Sequence, residues 1–115
     1  MLNSLCIGTD ILEMDKMEHN LENVKFLNKV LSIEELEVFN SFHSKKRKLE
    51  YLSGRFCAKE AIFKMYKKFE VPFNMISVLN DEYGSPYVVG MDHIKLSISH
   101  TDKFCMATAI MIDKK

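Results

Sequence analysis

Proline and glycine are scarce in this sequence, with 2 and 4 occurrences in 115 residues. So few chain breakers leave no room for a low-complexity linker, and no internal repeat is present. There are three cysteines, Cys6, Cys57 and Cys105, odd in number and far apart. None forms a C-x-x-C pair, which argues against thiolate-bound zinc and for free buried thiols in a reducing compartment. No stretch approaches the ~20 apolar residues of a membrane span. The first residues reach an acid at Asp10 without the basic start or apolar run of a signal peptide, so a cytoplasmic location is expected. Neither sign of charge is in excess: 16 basic side chains face 16 acidic ones. That balance discourages a nucleic-acid binder, whose surface is usually strongly basic. Standard nucleotide cradles, the P-loop and G-x-G-x-x-G, are missing too.

What remains is a soluble globular composition, 47% hydrophobic and 28% charged. The length allows one domain over 1–115, with too little core to wall off a deep private pocket. Ser4 to Thr9 reads as a first strand, closed by Asp10. Asp15 and Glu18 can open a helix that Asn20 and Asn23 keep short or break. Ser32 and Glu35 form a capping box, with Leu31 and Leu36 as its hydrophobic staple, for a helix to about Phe42. The basic run Lys45-Lys46-Arg47-Lys48 is a link or a first turn. A long helix is expected from about Lys48 to Phe69, ended by Val71-Pro72. Leu49, Leu52, Phe56, Phe63 and Tyr66 fall on one of its arcs, and Ala58, Ile62, Met65 and Phe69 on another. A helix apolar on two sides is central to its domain or shared with a partner subunit. Strands follow at Ile76–Leu79, Tyr87–Val89, Lys95–Ser99 and Phe104–Ile112, with turns at 80–86 and 100–103. The expected class is α+β, an antiparallel sheet rejoined by the first strand and packed with a long central helix.

Chemistry is expected where charge meets these apolar faces. Glu60 lies about 40° from Phe56 and about 60° from Phe63 on the helical wheel, at the edge of a buried stripe. A carboxylate there needs a partner: an ion pair with Lys64 at i+4, or a bound cation. Lys59 falls on the other flank of the same arc. Asp10, at a strand end, would supply the second carboxylate of a cation site, with Glu13 in support. Two carboxylates without a Cys or His cluster suit Mg2+, which draws its other ligands from water and substrate phosphates. Lys45 to Lys48, with Arg55 and Lys59 on the following helix, form a solvated cationic cluster or the seat of a polyphosphate. His100, at a strand end among hydroxyls, is structural, a phosphate contact or a proton-transfer group.

Taken in order, these segments resemble one family. Ile7-Gly8-Thr9-Asp10-Ile11-Leu12-Glu13, Leu31-Ser32-Ile33-Glu34-Glu35-Leu36, Gly54-Arg55-Phe56-Cys57-Ala58-Lys59-Glu60-Ala61, Asn80-Asp81 with Gly84 and Pro86, and Ser97-Ile98-Ser99-His100-Thr101 are similar to the holo-[acyl-carrier-protein] synthases, the small bacterial 4'-phosphopantetheinyl transferases. The resemblance spans nearly the whole chain. It implies transfer of 4'-phosphopantetheine from coenzyme A to a serine of apo acyl carrier protein for fatty acid biosynthesis. It implies Asp10 and Glu60 as Mg2+ ligands, and Lys64 beside the reacting pyrophosphate. It also implies Lys46, Arg47, Lys48, Arg55, His100 and Thr101 as coenzyme A contacts. A homotrimer with its active site between subunits is implied as well. The general base stays open between a metal-bound water and Lys64. One departure is Lys16, where the family carries an arginine thought to grip the acidic carrier; lysine keeps the charge and loses the bidentate fork. A non-catalytic module binding coenzyme A or the carrier is the alternative.

Overall fold

The computed structural model describes residues 3–114. Strand β1 (Asn3–Glu13) runs past Asp10 instead of stopping there, because its register with the last strand continues to Glu13. A 3-10 segment, Met14–Asn20, replaces the helix expected from Asp15; Glu13 stands at its N-cap and makes no side-chain cap. The break at Asn20 and Asn23 is real. Asn23 Oδ1 accepts from the Phe26 amide and starts a separate helix, α1 (Val24–Val30). Helix α2 (Ile33–Ser41) opens on the expected capping box of Ser32 and Glu35.

The long helix α3 is Lys45–Met65. It starts earlier than expected because Ser44 Oγ accepts from the Arg47 amide, which makes the basic run its first turn. It ends earlier because the chain folds back at Tyr66, bringing Phe69 edge-on to Phe63 at 5.6 Å. The apolar position at Phe69 is therefore filled from a loop. Strands β2 (Val78–Asn80), β3 (Pro86–Val88), β4 (Ile94–His100) and β5 (Phe104–Lys114) complete an antiparallel sheet in the order β1-β5-β4-β3-β2. Gly84, at φ +83°, makes the tight β2–β3 turn possible.

Both apolar stripes of α3 find partners inside the chain, although Phe56, Phe63 and Tyr66 stay half-buried. Cys57, Ala58, Ala61, Ile62 and Met65 pack on the inner face of the sheet with Ala107, Ala109 and Met111. Tyr51 and Leu52 pack with Leu27, Val30, Leu31 and Phe39 of the helical layer. The two-sided pattern thus marks a central helix, and it does not by itself call for a partner subunit.

Lys59 corrects the expectation more sharply. It is fully buried and takes no part in a cationic surface. Its Nζ donates to the carbonyls of Val30 at 2.7 Å and Phe73 at 2.9 Å, and to the buried Glu35 carboxylate. Burial holds the Lys59 ammonium below the ordinary lysine value, and the Glu35 charge works against that shift. Glu35 also accepts from the amides of Ser32 at 2.9 Å and Val78 at 2.7 Å. Every polar atom of the pair is thereby occupied by a different segment. Lys59→Met would strand a buried carboxylate, at a cost of about 3–5 kcal/mol. Urea unfolding followed by circular dichroism measures it; a loss under about 1 kcal/mol would show that Glu35 is solvated or neutral.

Candidate active site

Gly8 determines how close the strand comes to the helix. A Cβ on it would lie 2.1 Å from the Ala61 carbonyl oxygen and 2.5 Å from the Met65 nitrogen, so only glycine lets β1 press against the last turns of α3. Asp10 lies two residues on and shares that face of the strand. It is carried to the helical turn that bears Glu60 and Lys64. The Lys64 ammonium donates to Asp10 Oδ1 at 2.8 Å. The i,i+4 pair between Glu60 and Lys64 is not the contact made; the lysine pairs with the strand instead.

Glu60 is left with the harder position. Burial first, and the neighbouring Asp10 charge second, raise its pKa, while Lys64 pulls the other way. Among the described residues no three His, Cys, Asp or Glu side chains gather to hold a metal by themselves. The donor set of Asp10 and Glu60 fits a hard cation that keeps water and phosphate oxygens in its shell. Glu13 does not join them. It is exposed at the end of β1, 3.9 Å from Lys16. Glu60 also stands at the rim of an apolar hollow of about 470 Å³ walled by Phe26, Phe56, Phe63 and Phe73.

A second, cationic site lies apart from the acids. Arg47, Glu50, Tyr51, Arg55, Asn80 and His100 line an open cleft of about 320 Å³, floored by Gly84 and Pro86. Arg55 is buried. Its Nε donates to the Val78 carbonyl at 3.0 Å and a terminal nitrogen to Asn80 Oδ1 at 2.9 Å, and its guanidinium lies 4.3 Å from the Tyr51 ring centre. Arg47 is exposed and rests 4.6 Å from the Phe42 ring centre. His100 Nδ1 is 3.9 Å from Glu50. Thr101 holds the β4–β5 turn, its Oγ1 accepting from the amides of Lys103 and Phe104. Lys46 is exposed beside the cleft without lining it. Lys48 turns the other way, over the Phe39 ring and into a hollow with Glu18, His19, Glu22 and His43.

The sequence reading passed over Glu50 and Tyr51, although Tyr51 on the wheel adjoins Arg55 at i+4. Two cysteines link the cleft to the strand of Asp10. Cys57 Sγ donates to the Asp10 carbonyl at 3.2 Å, and Cys105 lines the cleft. Both are free and buried, whereas Cys6 is only partly covered. The start of α3 carries four cations and no acid in its first turn. Helix termini of that polarity favour anions, so this end is doubly set to receive one.

Residues 6–109 match the family model described as the 4'-phosphopantetheinyl transferase superfamily. A holo-[acyl-carrier-protein] synthase of Petrotoga mobilis is 38% identical, covering 94% of this chain and 96% of the relative. One from Geobacillus sp. is 40% identical over 91% of this chain and 93% of its own length. The chain belongs to the holo-[acyl-carrier-protein] synthase family. Its fold agrees. A crystal structure of the Bacillus anthracis synthase in complex with CoA (3',5'-ADP) superposes with a TM-score of 0.84 at 33% identity, covering 95% of this chain and 96% of that one. The synthase of Plasmodium yoelii gives 0.80 at 32% identity, covering each chain in full. In this member of the enzyme family, β1 and α3 carry the acid pair and the cationic cleft lies in the same α+β frame.

The raised pKa of Glu60 carries a sign. A carboxyl whose folded pKa lies above its unfolded value contributes its full stability in acid, and loses it as pH rises through the folded pKa. At neutral pH the ionised group therefore weighs against the fold. Glu60→Gln is expected to raise the thermal midpoint at pH 7 and to leave it unchanged near pH 3. Scanning calorimetry in chelator checks this; a lowered midpoint at pH 7 would mean that the Lys64 attraction outweighs burial.

Proposed function

We propose that the chain transfers 4'-phosphopantetheine from coenzyme A to a serine hydroxyl of apo acyl carrier protein. The serine oxygen attacks the phosphorus that carries pantetheine and gives its proton to a base, the pyrophosphate bond breaks, and adenosine 3',5'-bisphosphate leaves. The observation that carries this reading is the pairing of a polyanion-sized cationic cleft with a close carboxylate pair, in a chain akin to a synthase crystallised with CoA (3',5'-ADP).

Arg47, Arg55 and His100 hold the nucleotide end of coenzyme A in the cleft, with Lys46 and Thr101 at its margin, while Lys48 faces the neighbouring hollow and would have to swing round to reach the ligand. The arginine forks match phosphate oxygens two at a time. Arg55 is already fixed by Val78 and Asn80, so little freedom is lost when it binds. Asp10 and Glu60 are the residues that would hold Mg2+. The ion, when bound, neutralises charge on the pyrophosphate as the bond breaks. Lys64 reaches the same phosphates from its place beside Asp10. The partner is the acidic carrier protein, and the exposed Lys16 is placed to meet it with a single charge instead of a fork. Such an enzyme would serve fatty acid biosynthesis in the cytoplasm.

The working unit is a homotrimer. The support lies on the outer face of the sheet. Leu5, Ile7 and Ile11 of β1 stand beside Ile112, Ile110 and Met106 of β5, all exposed in the single chain. A contiguous apolar face of this kind marks an interaction surface. Glu60 and the cationic cleft face separate hollows of one chain, so apposed subunits can complete a site that neither closes alone.

Incubation of apo carrier protein with coenzyme A, Mg2+ and this chain is expected to add one phosphopantetheine mass to the carrier. The gain should vanish with chelator, and fall at least about 10³-fold in rate for Asp10→Asn. Binding of coenzyme A without a mass gain would convict the reading and leave a non-catalytic module. The assembly has its own test. Ile7→Lys with Ile110→Lys should leave a folded monomer in sedimentation equilibrium, while a trimer that survives both charges would place the contact elsewhere.

A further inference from the structure

An unusual choice of partner stands out around Lys64. Glutamate four residues N-terminal to lysine is the favoured helical pairing. Glu60 and Lys64 have that spacing, yet the lysine reaches across to Asp10, 54 residues away on another element. Glu60 is left half-buried beside a second carboxylate. Lys64 is the counter-ion of Asp10 and occupies one of the two carboxylate oxygens, Oδ1, open to a metal.

A cation on that oxygen would conflict with the ammonium. A Mg2+-type ion lies about 2.1 Å from a carboxylate oxygen. The ammonium is 2.8 Å from the same atom. Metal and lysine nitrogen would then stand no more than about 5 Å apart, a strong repulsion between like charges in a half-buried site. Lys64 is free to give way. Its side chain is 55% exposed against 14% for Asp10, and it projects from the last turn of α3 on a flexible stem. Leaving has a cost, because the other carboxylate beside it among the described residues, Glu60, is itself claimed by the metal. A polyphosphate arriving at the cation would remove that cost by offering Lys64 new oxygens.

We infer that Lys64 is an internal competitor of the divalent cation: it holds Asp10 until a polyphosphate ligand takes its ammonium, so that cation and polyphosphate bind as a coupled pair. The inference rests on the reading of Asp10 and Glu60 as the cation site. Coupling of this kind is reciprocal, so each ligand tightens the other by the same factor.

The test is Mn2+ binding, followed by the electron paramagnetic resonance of free ion, with no carrier protein present and hence no turnover. Lys64→Met is expected to bind Mn2+ about tenfold more tightly than wild type in the absence of coenzyme A, the size of effect that one charge at this range has on a neighbour. Coenzyme A should then tighten Mn2+ binding by a factor about tenfold larger in wild type than in Lys64→Met. Equal or weaker Mn2+ binding by Lys64→Met without coenzyme A, or the same gain in both proteins, overturns the inference and leaves the cation site standing. Asp10→Asn separates the two failures. If it binds Mn2+ as wild type does, the cation site itself is misplaced and the exchange falls with it. The lysine is largely in water, so the variant should fold, and its circular dichroism should match wild type.

Discussion

The structure depends on one buried ion pair. Lys59 and Glu35 have no contact with solvent, and between them they bond to the end of α1, the start of α2, the loop at Phe73 and the amide of β2. A buried pair is weak evidence for stability, since well-packed apolar residues often serve as well. Its value here is positional. Apolar packing tolerates rotation of a helix by some degrees, whereas five directed hydrogen bonds do not. With Lys59 fixed, the rotation of α3 is fixed, and with it the direction of Glu60 next door and of Arg55 one turn before.

The same network closes the sheet. Strand β2 is an edge, and an open edge offers unpaired backbone groups to other chains. Val78 is held by its amide on Glu35 and by its carbonyl on Arg55. A residue expected to bind ligand and a residue expected only to cap a helix thus share one strand between them. Arg55 has a structural duty as well as a place in the cleft.

Much of this was legible in the sequence where the determinants are local. The capping box at Ser32, the break at Asn23 and the strand alternation of β4 are short-range signals, and each appears as expected. The α+β class and the central helix followed from the same patterns. Asp10 and Glu60 were singled out as carboxylates on apolar borders, and the chain does bring them together. What local pattern could not give was the choice of partners. Lys59 lay visibly within an apolar arc, but Val30, Glu35 and Phe73 reach it only through the tertiary fold. Lys64 had a suitable partner four residues away and took another. The two-sided helix left a central position and a neighbouring subunit both open, because wheel geometry cannot distinguish two internal layers from one internal and one external.

The pairing of β1 with β5 has a consequence for how the molecule is made. The register joins Asn3 to Lys114, so the strand that opens the fold finds its partner only after every other element has been synthesised. Until then the inner faces of β1 and α3 have no sheet to close on them. The helical layer can assemble early from neighbours in sequence, but the half of the core beneath the sheet must wait, with its alanines, methionines and isoleucines open to water or to a chaperone. Slow closure by the most distant contact in the chain is the kinetic counterpart of using so short a polypeptide to build so continuous a sheet.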